Sequence, residues 1–473
     1  MSHATTLETV SPPNLDRTQV NTFASALRGR LVQPNDPDYD EVRKVYNGMI
    51  DKRPEMIVQC ADVADVMSSV DFARSNNLLL AIRGGGHNGP GLGTCDGGLV
   101  IDLSPMRGVH VDPAARTVRV EGGCTWADVN HAANAFGLAV PNGLISTTGV
   151  GGFTLGGGLG YLTRQYGLTI DNLLEVDAIL ADGSFITANS SDNPDLFWGV
   201  RGGGGNFGVV TSFVFNAHPI TNIFGGPMMW SMDQAADVMR WYRKFIVDAP
   251  RELSGWLGLM TVPPAPSFPE SLHLQKVCTI VWSYTGPETR INEVFAPIRA
   301  FGPPILDGLQ SMPFIALQSA FDGLYPPGDQ WYRKADFVTE LTDEAIDRHV
   351  MHARNMPTPQ STMHLYPING AAHDVSEEST PWAYRHATFA EVIVGVDPDP
   401  ANRERIVDWA RAYWNDVHPY SSGGAYVNMM MDEGEDRVRA SYRNNYDRLV
   451  EVKRQYDPEN LFRVNQNIDP SST

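Results

Sequence analysis

An α+β fold in at least two units is what this sequence predicts, and three observations carry it. The chain has 473 residues, more than one hydrophobic core usually organises. Half of its 44 glycines fall in three short clusters, eight in 84–98, eight in 143–160 and six in 199–208, each set between short strand and helix patterns. Past His218-Pro219 glycine thins out while proline, methionine and tryptophan become commoner, which marks a change of unit.

Residues 1–30 are polar, contain prolines and read as a frayed lead-in. From Pro54 the pattern runs strand (56–59), helix, strand (78–82), then the first glycine cluster. In that helix Val63, Val66, Met67, Val70 and Ala73 recur at three- and four-residue steps to make one apolar face, ended by Asn76-Asn77. Short strands follow over 99–103, 108–111 and 117–121, with Asp112-Pro113 as the turn between the last two. A helix over 126–136 stops at Gly137. After the second cluster, strands over 174–180 and 184–187 flank Ala181-Asp182-Gly183, a hairpin signal of Asp-Gly type. Asp195 to Trp198 lead into the third cluster, and a strand over 208–215 leaves it.

From there to about residue 420, strands (228–230, 272–282, 363–365, 389–394) alternate with helices (233–246, 342–353, 403–417). That order predicts an α+β unit whose sheet carries helices on one side. A closing helix over 437–455 has Val438, Tyr442, Leu449 and Val452 on one side and ends at Asp457-Pro458.

Composition narrows the function. Hydrophobic residues make 42% and charged residues 19% of the chain, ordinary for a globular protein with a real core. The net charge of −19 argues against nucleic acid and against an anionic membrane surface as partners. No apolar run is long enough to span a bilayer, and residues 1–18 carry no signal pattern. The cysteines (Cys60, Cys95, Cys124, Cys278) are far apart with no Cys-x-x-Cys pair, which predicts free thiols and a cytoplasmic address.

Glycine at this density is kept where the backbone bends through positive φ or approaches a ligand closely. Runs of exposed N–H groups form anion-binding concavities, so three such loops predict one large, negatively charged dinucleotide threaded between them. Gly84, Gly86 and Gly89 spell the dinucleotide-binding fingerprint by letters, but Pro90 follows where a helix should open, so a nicotinamide site of that type is not expected. No P-loop lysine follows any cluster. His349 and His352 lie in a charged helical segment and read as a solvated face, not as metal ligands. One residue stands out: His87, since a phosphate loop needs no imidazole.

The run Arg83-Gly-Gly-Gly-His87-Asn88, with Gly149-Val-Gly-Gly152 and Gly156-Gly-Gly-Leu-Gly160, resembles the FAD-linked oxidases of the berberine-bridge-enzyme type, in the vanillyl-alcohol-oxidase superfamily. Tyr166-Gly167-Leu168 with Asp171-Asn172, Asp195-Leu-Phe-Trp198, and Asn206-Phe-Gly-Val-Val210 extend the likeness. So does the tail, from Asn445-Tyr446 through Lys453 and Tyr456-Asp-Pro458 to Asn467-Ile468. The resemblance is dense in the amino-terminal unit and the tail, and holds in the middle only in outline.

It implies an α+β architecture: a two-part FAD-binding domain (PCMH type, core about 50–218) made of 1–218 and the returning segment 421–473. An inserted α+β substrate domain, 219–420, would cover the flavin with an antiparallel sheet. His87 matches the histidine that bonds to the flavin 8α-methyl. Relatives with a second bond place a cysteine where this chain has Ile145, so a single covalent link and a smaller, more enclosed substrate are expected; Cys124 reads as a small buried side chain. The cofactor contacts so implied fall on Arg83, Gly84, Gly85, Gly86 and Asn88, and on Gly143, Thr147, Thr148, Gly149, Gly151 and Gly152. They continue on Gly157, Gly158, Gly160, Tyr166 and Asp171, then Asn206, Val209, Val210, Asn465 and Asn467. No metal is expected.

Such a cofactor takes a hydride at N5 and passes two electrons to O2, giving hydrogen peroxide, while the protein orients a small organic substrate and removes a proton. Thr148 falls where the family controls oxygen access, and its size permits oxidase behaviour. Tyr426, in Ala425-Tyr426-Val427-Asn428, matches a Tyr-x-Asn element whose tyrosine is the base in some relatives, although Met429-Met430-Met431 departs from that element's continuation. His364, Tyr366 and Ile368 alternate onto one strand face, of which His364 and Tyr366 are further catalytic candidates; His373 and Asp374, near its end, are less well placed to reach. The expected substrate is a secondary-metabolite alcohol, amine or phenol. A carbohydrate oxidase forming a lactone, using Trp230, Trp282 and Trp331 as stacking platforms, is one alternative; a flavoprotein that sequesters a drug-like ligand is the other. Oligomeric state leaves no mark in the sequence.

Overall fold

The computed structural model describes residues 15–472. The lead-in expected over 1–30 is helical from Arg17: the Asp16 carboxylate caps Arg17–Ala26 by accepting from the Thr18 N–H, and Phe23 stacks on Phe72 at 4.1 Å between centroids. Burial of Val20 and Phe23, more than propensity, holds so short a helix in place. Residues 1–14 lie outside the described residues.

The amino-terminal unit holds two sheets. Arg30–Val32, Met56–Gln59, Leu99–Asp102 and Leu80–Arg83 lie side by side in that order, the last three parallel. All four side chains of Leu99–Asp102 are buried, the mark of a parallel strand covered on both faces. The crossover helix Val63–Ser75 starts where Asp62 accepts from the N–H groups of Ala64 and Asp65. A second, antiparallel sheet has the order Val109–Asp112, Thr117–Glu121, Val209–Asn216, Leu173–Ile179, Phe185–Asn189. The hairpin read at Asp182-Gly183 forms, with Gly183 at φ +84°.

The middle of the chain builds one large antiparallel sheet: Leu306–Asp307, Asn222–Ser231, Lys276–Tyr284, Leu253–Thr261, Thr362–Pro367, Phe389–Asp397, Gln330–Val338, with Gln310–Pro313 also paired to Asn222–Ser231. The strand expected over 272–282 begins four residues later, because Glu270–Leu272 make a 3-10 turn. Helices Ala235–Asp248, Asp343–Arg354 and Arg403–Val417 cover one face, where Trp230, Trp282, Met363 and Leu365 are buried. The other face turns Trp256, Trp331, Tyr366 and Val392 into the core of the glycine-rich unit.

The solvated helix face expected at His349 is a correction: His349 is 1% exposed, donor or acceptor to the Tyr413 hydroxyl at 2.9 Å, and lies 3.5 Å from Glu391. Burial pushes His349 down to about 3 and drives Glu391, with the Asp336 charge adding, well above the carboxylate range. His349 is therefore neutral near pH 7, and burial favours the protonated form of Glu391. The folded state keeps a proton that the unfolded chain releases near its model value of 4.5, so Glu391 removes stability as pH rises above that value. Glu391→Gln keeps the neutral form. Its thermal midpoint is expected above that of the parent at pH 8 and equal to it at pH 4, read by calorimetry.

The closing helix expected over 437–455 is two helices, Glu435–Tyr442 and Tyr446–Tyr456, broken at Arg443, whose φ is +49°. Asn445 fixes the break by donating its side-chain N–H groups to the carbonyls of Glu377 and Thr380.

Candidate active site

The three glycine clusters and the inner face of the large sheet enclose a cavity of about 310 Å3. The first loop leaves the strand Leu80–Arg83. A Cβ on Gly85 would stand 2.5 Å from the Gly149 nitrogen, and one on Gly149 would stand 2.4 Å from that of Gly85, so any side chain here would force the first and second loops apart. Gly86 turns through φ +70°, which brings His87 into the cavity wall. Among the described residues, the N–H groups of Gly84, Gly85, Gly86, His87 and Asn88 have no protein acceptor. Five successive unpaired donors facing a cavity form a nest for anionic and carbonyl oxygens.

The His87 ring stacks on Tyr46 with 3.9 Å between centroids, and Tyr46 donates its hydroxyl hydrogen to the Tyr325 carbonyl. Burial, and then the Arg333 cation, push His87 down to about 3 against the opposing effect of a hydrogen bond that the ring donates to the Thr147 backbone. The imidazole is neutral at physiological pH, with a nitrogen lone pair available.

The second loop places Gly143, Ile145, Thr148, Gly149, Gly151 and Gly152 on the wall; a Cβ on Gly152 would meet nothing within 4 Å. The third supplies Gly204, Gly205, Asn206 and Val210. Asn206 donates to the carbonyls of Gly203 and Gln466 and accepts from the Ile468 N–H, which ties the loop to the chain's tail. Beneath it the wholly buried Lys453 donates to the Asn206 carbonyl at 2.7 Å and to the Asp457 carboxylate at 2.6 Å. Asp457 in turn accepts from the N–H groups of Leu461 and Phe462, which sets the bend that carries Asn465 to the cavity.

The roof is the strand Thr362–Pro367. Thr362, His364 and Tyr366 share its inner face, as alternation predicts. Thr362 gives its hydroxyl hydrogen to the Leu259 carbonyl, so its oxygen accepts from His364 Nε2, 2.9 Å away. His364 Nδ1 is then the acceptor for the Tyr366 hydroxyl at 2.6 Å. Burial keeps this His364 neutral, near 3, in agreement with that tautomer. Opposite stands Tyr426, 2% exposed, whose oxygen accepts from Asn428 Nδ2 at 2.7 Å and from the Gly158 N–H at 3.1 Å.

Nine residues that the resemblance pointed to lie off the cavity wall. Arg83 turns back to pair with buried Asp102 at 2.8 Å, and Thr147 is exposed with only its backbone near His87. Gly157 and Gly160 are sites of close packing, where a Cβ would meet Trp382 at 2.3 Å and the Asn142 carbonyl at 1.8 Å; Gly158 reaches the site only through its N–H to Tyr426. Tyr166 stacks on His218 at 3.7 Å, Val209 packs into the core below the parallel sheet, and Asn467 sits behind the tail with a buried, unpaired Oδ1. Asp171 is held in a two-pronged ion pair by Arg385, both bonds 2.7 Å. Arg385→Met would leave that carboxylate nearly buried and uncompensated, at a cost of about 3–5 kcal/mol, which urea unfolding measures.

Sequence reasoning missed several wall residues, among them Tyr46, Tyr325, Arg333 and Asn428. Of these only Asn428 carried a signal, its place in the Tyr-x-Asn element.

Comparison with known proteins decides the family. A family model described as an FAD binding domain matches residues 54–189, and one described as berberine and berberine like matches 425–469. The FAD-linked oxidoreductase YgaK of Bacillus subtilis (strain 168) is 31% identical over 453 residues, covering 94% of this chain and 97% of its own. The chain belongs to the FAD-linked oxidoreductases. This FAD-linked oxidoreductase is also 29% identical to (R)-6-hydroxynicotine oxidase of Paenarthrobacter nicotinovorans over 95% of its length and 98% of that protein. The crystal structure of 6-hydroxy-D-nicotine oxidase from Arthrobacter nicotinovorans superposes with a TM-score of 0.84 at 25% identity, over 94% of this chain and 98% of the other.

The residues present suit the cofactor. The unpaired N–H run of Gly84–Asn88 supplies donors for its anionic and carbonyl oxygens, and bare backbone at Gly149, Gly152 and Gly204 admits its length. Among the described residues no helix is long and apolar enough to cross a membrane.

Proposed function

We propose that this FAD-linked oxidoreductase is an oxidase that removes a hydride from a small alcohol, amine or phenolic substrate of secondary metabolism. FAD is bonded to the protein through His87 alone. The observation that carries the reading is the Tyr426 hydroxyl, a phenol in the cavity wall whose oxygen already accepts two hydrogen bonds. Among the described residues its hydroxyl hydrogen has no acceptor, which leaves it free to meet a ligand in the cavity. When it leaves, the phenolate is met by two donors in place, the arrangement expected of a general base.

Bound FAD supplies the two-electron acceptor, and its reoxidation by O2 gives hydrogen peroxide. The chain's own work is to hold, orient and deprotonate. Tyr426 takes the substrate's O–H or N–H proton. Tyr366 cannot take the same role in its resting state, since its hydrogen is given to His364; the pair instead presents a fixed phenol oxygen to orient the substrate's polar end. Neutral His87 has the free nitrogen that a covalent bond needs, and its stacking on Tyr46 fixes the ring's plane. Ile145 lines the cavity and cannot form a thioether, while Cys124 is buried and lies off the wall. Thr148 faces the cavity with a side chain small enough to leave a path for O2.

Residues 1–218 and 421–473 serve the cofactor in this reading, and 219–420 the substrate. The four thiols are all buried and unpaired, which fits a reducing, cytoplasmic address. Of the three tryptophans that could stack a sugar, Trp230 and Trp282 are wholly buried under helices and Trp331 alone reaches the cavity, which favours a small enclosed substrate over an oligosaccharide. Peroxide release from a panel of benzylic alcohols, cyclic amines, phenols and sugars tests the reading. Turnover on the first three supports it. Sugar turnover alone, or tight ligand binding with no flavin bleaching, overturns it.

A further inference from the structure

Arg333 is a cation in the cavity wall that no carboxylate among the described residues pairs with. It stands on the inner face of Gln330–Val338, where its cross-strand partner is Val394, and Trp331 and Ala335 flank it on the same face. Its neighbours on the other face do find partners: Lys334 pairs with Glu433 at 2.7 Å, and Asp336 with His418 at 2.9 Å. Among the described residues no acceptor or carboxylate bonds to the Arg333 guanidinium, which lies 5.2 Å over the Trp331 ring. Burial pulls its pKa down, and the charge is felt by His87, Tyr46 and Tyr366, the residues that ring this end of the cavity.

The placement is rigid. Asn47 clamps Trp331 from both sides, donating to its carbonyl and accepting from its N–H, each at 3.0 Å. The backbone beside Arg333 is therefore fixed, and its guanidinium presents a flat, five-donor fork to the cavity. A charge taken out of water without a partner is costly, and a protein keeps one where a ligand supplies the counter-charge.

We propose that the substrate carries a carboxylate, and that Arg333 binds it through a two-pronged ion pair beside His87. The proposal rests on the reading of this cavity as the substrate site and narrows its substrate to an acid, aromatic or aliphatic, with the oxidisable group set toward Tyr426. A carboxylate matches the planar fork in both geometry and charge, whereas a neutral sugar or free amine would leave it unpaired.

The holoenzyme is titrated with benzoate and with benzamide, equal in shape and unlike in charge, and binding is followed by the change in flavin absorbance. Benzoate is expected to bind at least tenfold more tightly than benzamide. Arg333→Gln is expected to erase that difference by weakening benzoate alone, and Arg333→Lys to restore part of it. Equal affinities in the unaltered enzyme overturn the proposal without any variant. So does an Arg333→Gln protein, with its flavin spectrum intact, that still prefers benzoate tenfold. Because binding is read without turnover, the two readings separate: peroxide from neutral substrates with no benzoate preference removes only this inference, while benzoate preference with no oxidation of any substrate removes only the oxidase.

Discussion

Tyr426→Phe lowers kcat by about 10²–10⁴-fold, the range that loss of a positioned general base produces. The change deletes one oxygen from a side chain 2% exposed, so the wall keeps its shape and KM moves little. A pH signature separates this role from packing. Burial holds the Tyr426 phenol above its ordinary range, opposed by the hydrogen bonds from Asn428 and Gly158. Below that raised pKa the phenolate fraction grows tenfold for each pH unit. Log kcat/KM should therefore climb with a slope of about one between pH 7 and 9, and the climb should vanish in Tyr426→Phe. Asn428→Ala removes the stronger of the two donors, at 2.7 Å, and moves the rise to still higher pH. A flat profile in the unaltered enzyme, or a phenylalanine variant within twofold of it, removes Tyr426 from the chemistry.

His87→Ala has the second large effect. The variant is expected to lose its covalent flavin, so that acid precipitation gives a colourless pellet and a yellow supernatant. Rates are expected to fall as well, by roughly tenfold, or 1.4 kcal/mol of barrier, because an imidazole bonded at the 8α carbon would withdraw electrons and make the ring a stronger oxidant. Because burial and Arg333 hold His87 at about 3, the nitrogen is free at any working pH, and covalent incorporation into apoprotein should proceed equally at pH 6 and pH 8. An ordinary histidine would slow at the lower value, where much of it is protonated.

What the sequence made legible, and what it hid, follow from the range of the interactions involved. The glycine loops were readable because each constraint marks the residue itself: a positive φ at Gly86, or a Gly85–Gly149 approach that no side chain survives, leaves glycine in the sequence. The inner face of Thr362–Pro367 was readable because alternation is a property of six consecutive residues. Leu253–Thr261 was hidden because it is buried on both faces and so has no alternation, and because Gly255 stands in it to clear the Trp282 ring, 2.3 Å from where its Cβ would be. Gln330–Val338 was hidden by charges. Arg333, Lys334 and Asp336 interrupt its apolar pattern, and the partners of the last two, Glu433, His418 and Arg437, arrive from about a hundred residues away. Tyr46 was invisible for the same reason: its role comes from stacking on His87 and bonding to Tyr325, neither of which is near it in the chain. The break at Arg443 was missed because the apolar spacing runs through it without a fault, and only the contacts of Asn445 impose the turn.

The central claim is that His87 alone anchors the flavin, and one measurement addresses it directly. The purified, unaltered protein is precipitated in acid, digested, and its peptides weighed by mass spectrometry. The account predicts that the peptide containing His87 carries the added mass of one flavin adenine dinucleotide, and that the peptides bearing Cys60, Cys95, Cys124 and Cys278 carry none. An unmodified His87 peptide with all flavin free in the supernatant, or flavin mass on a cysteine peptide, contradicts it.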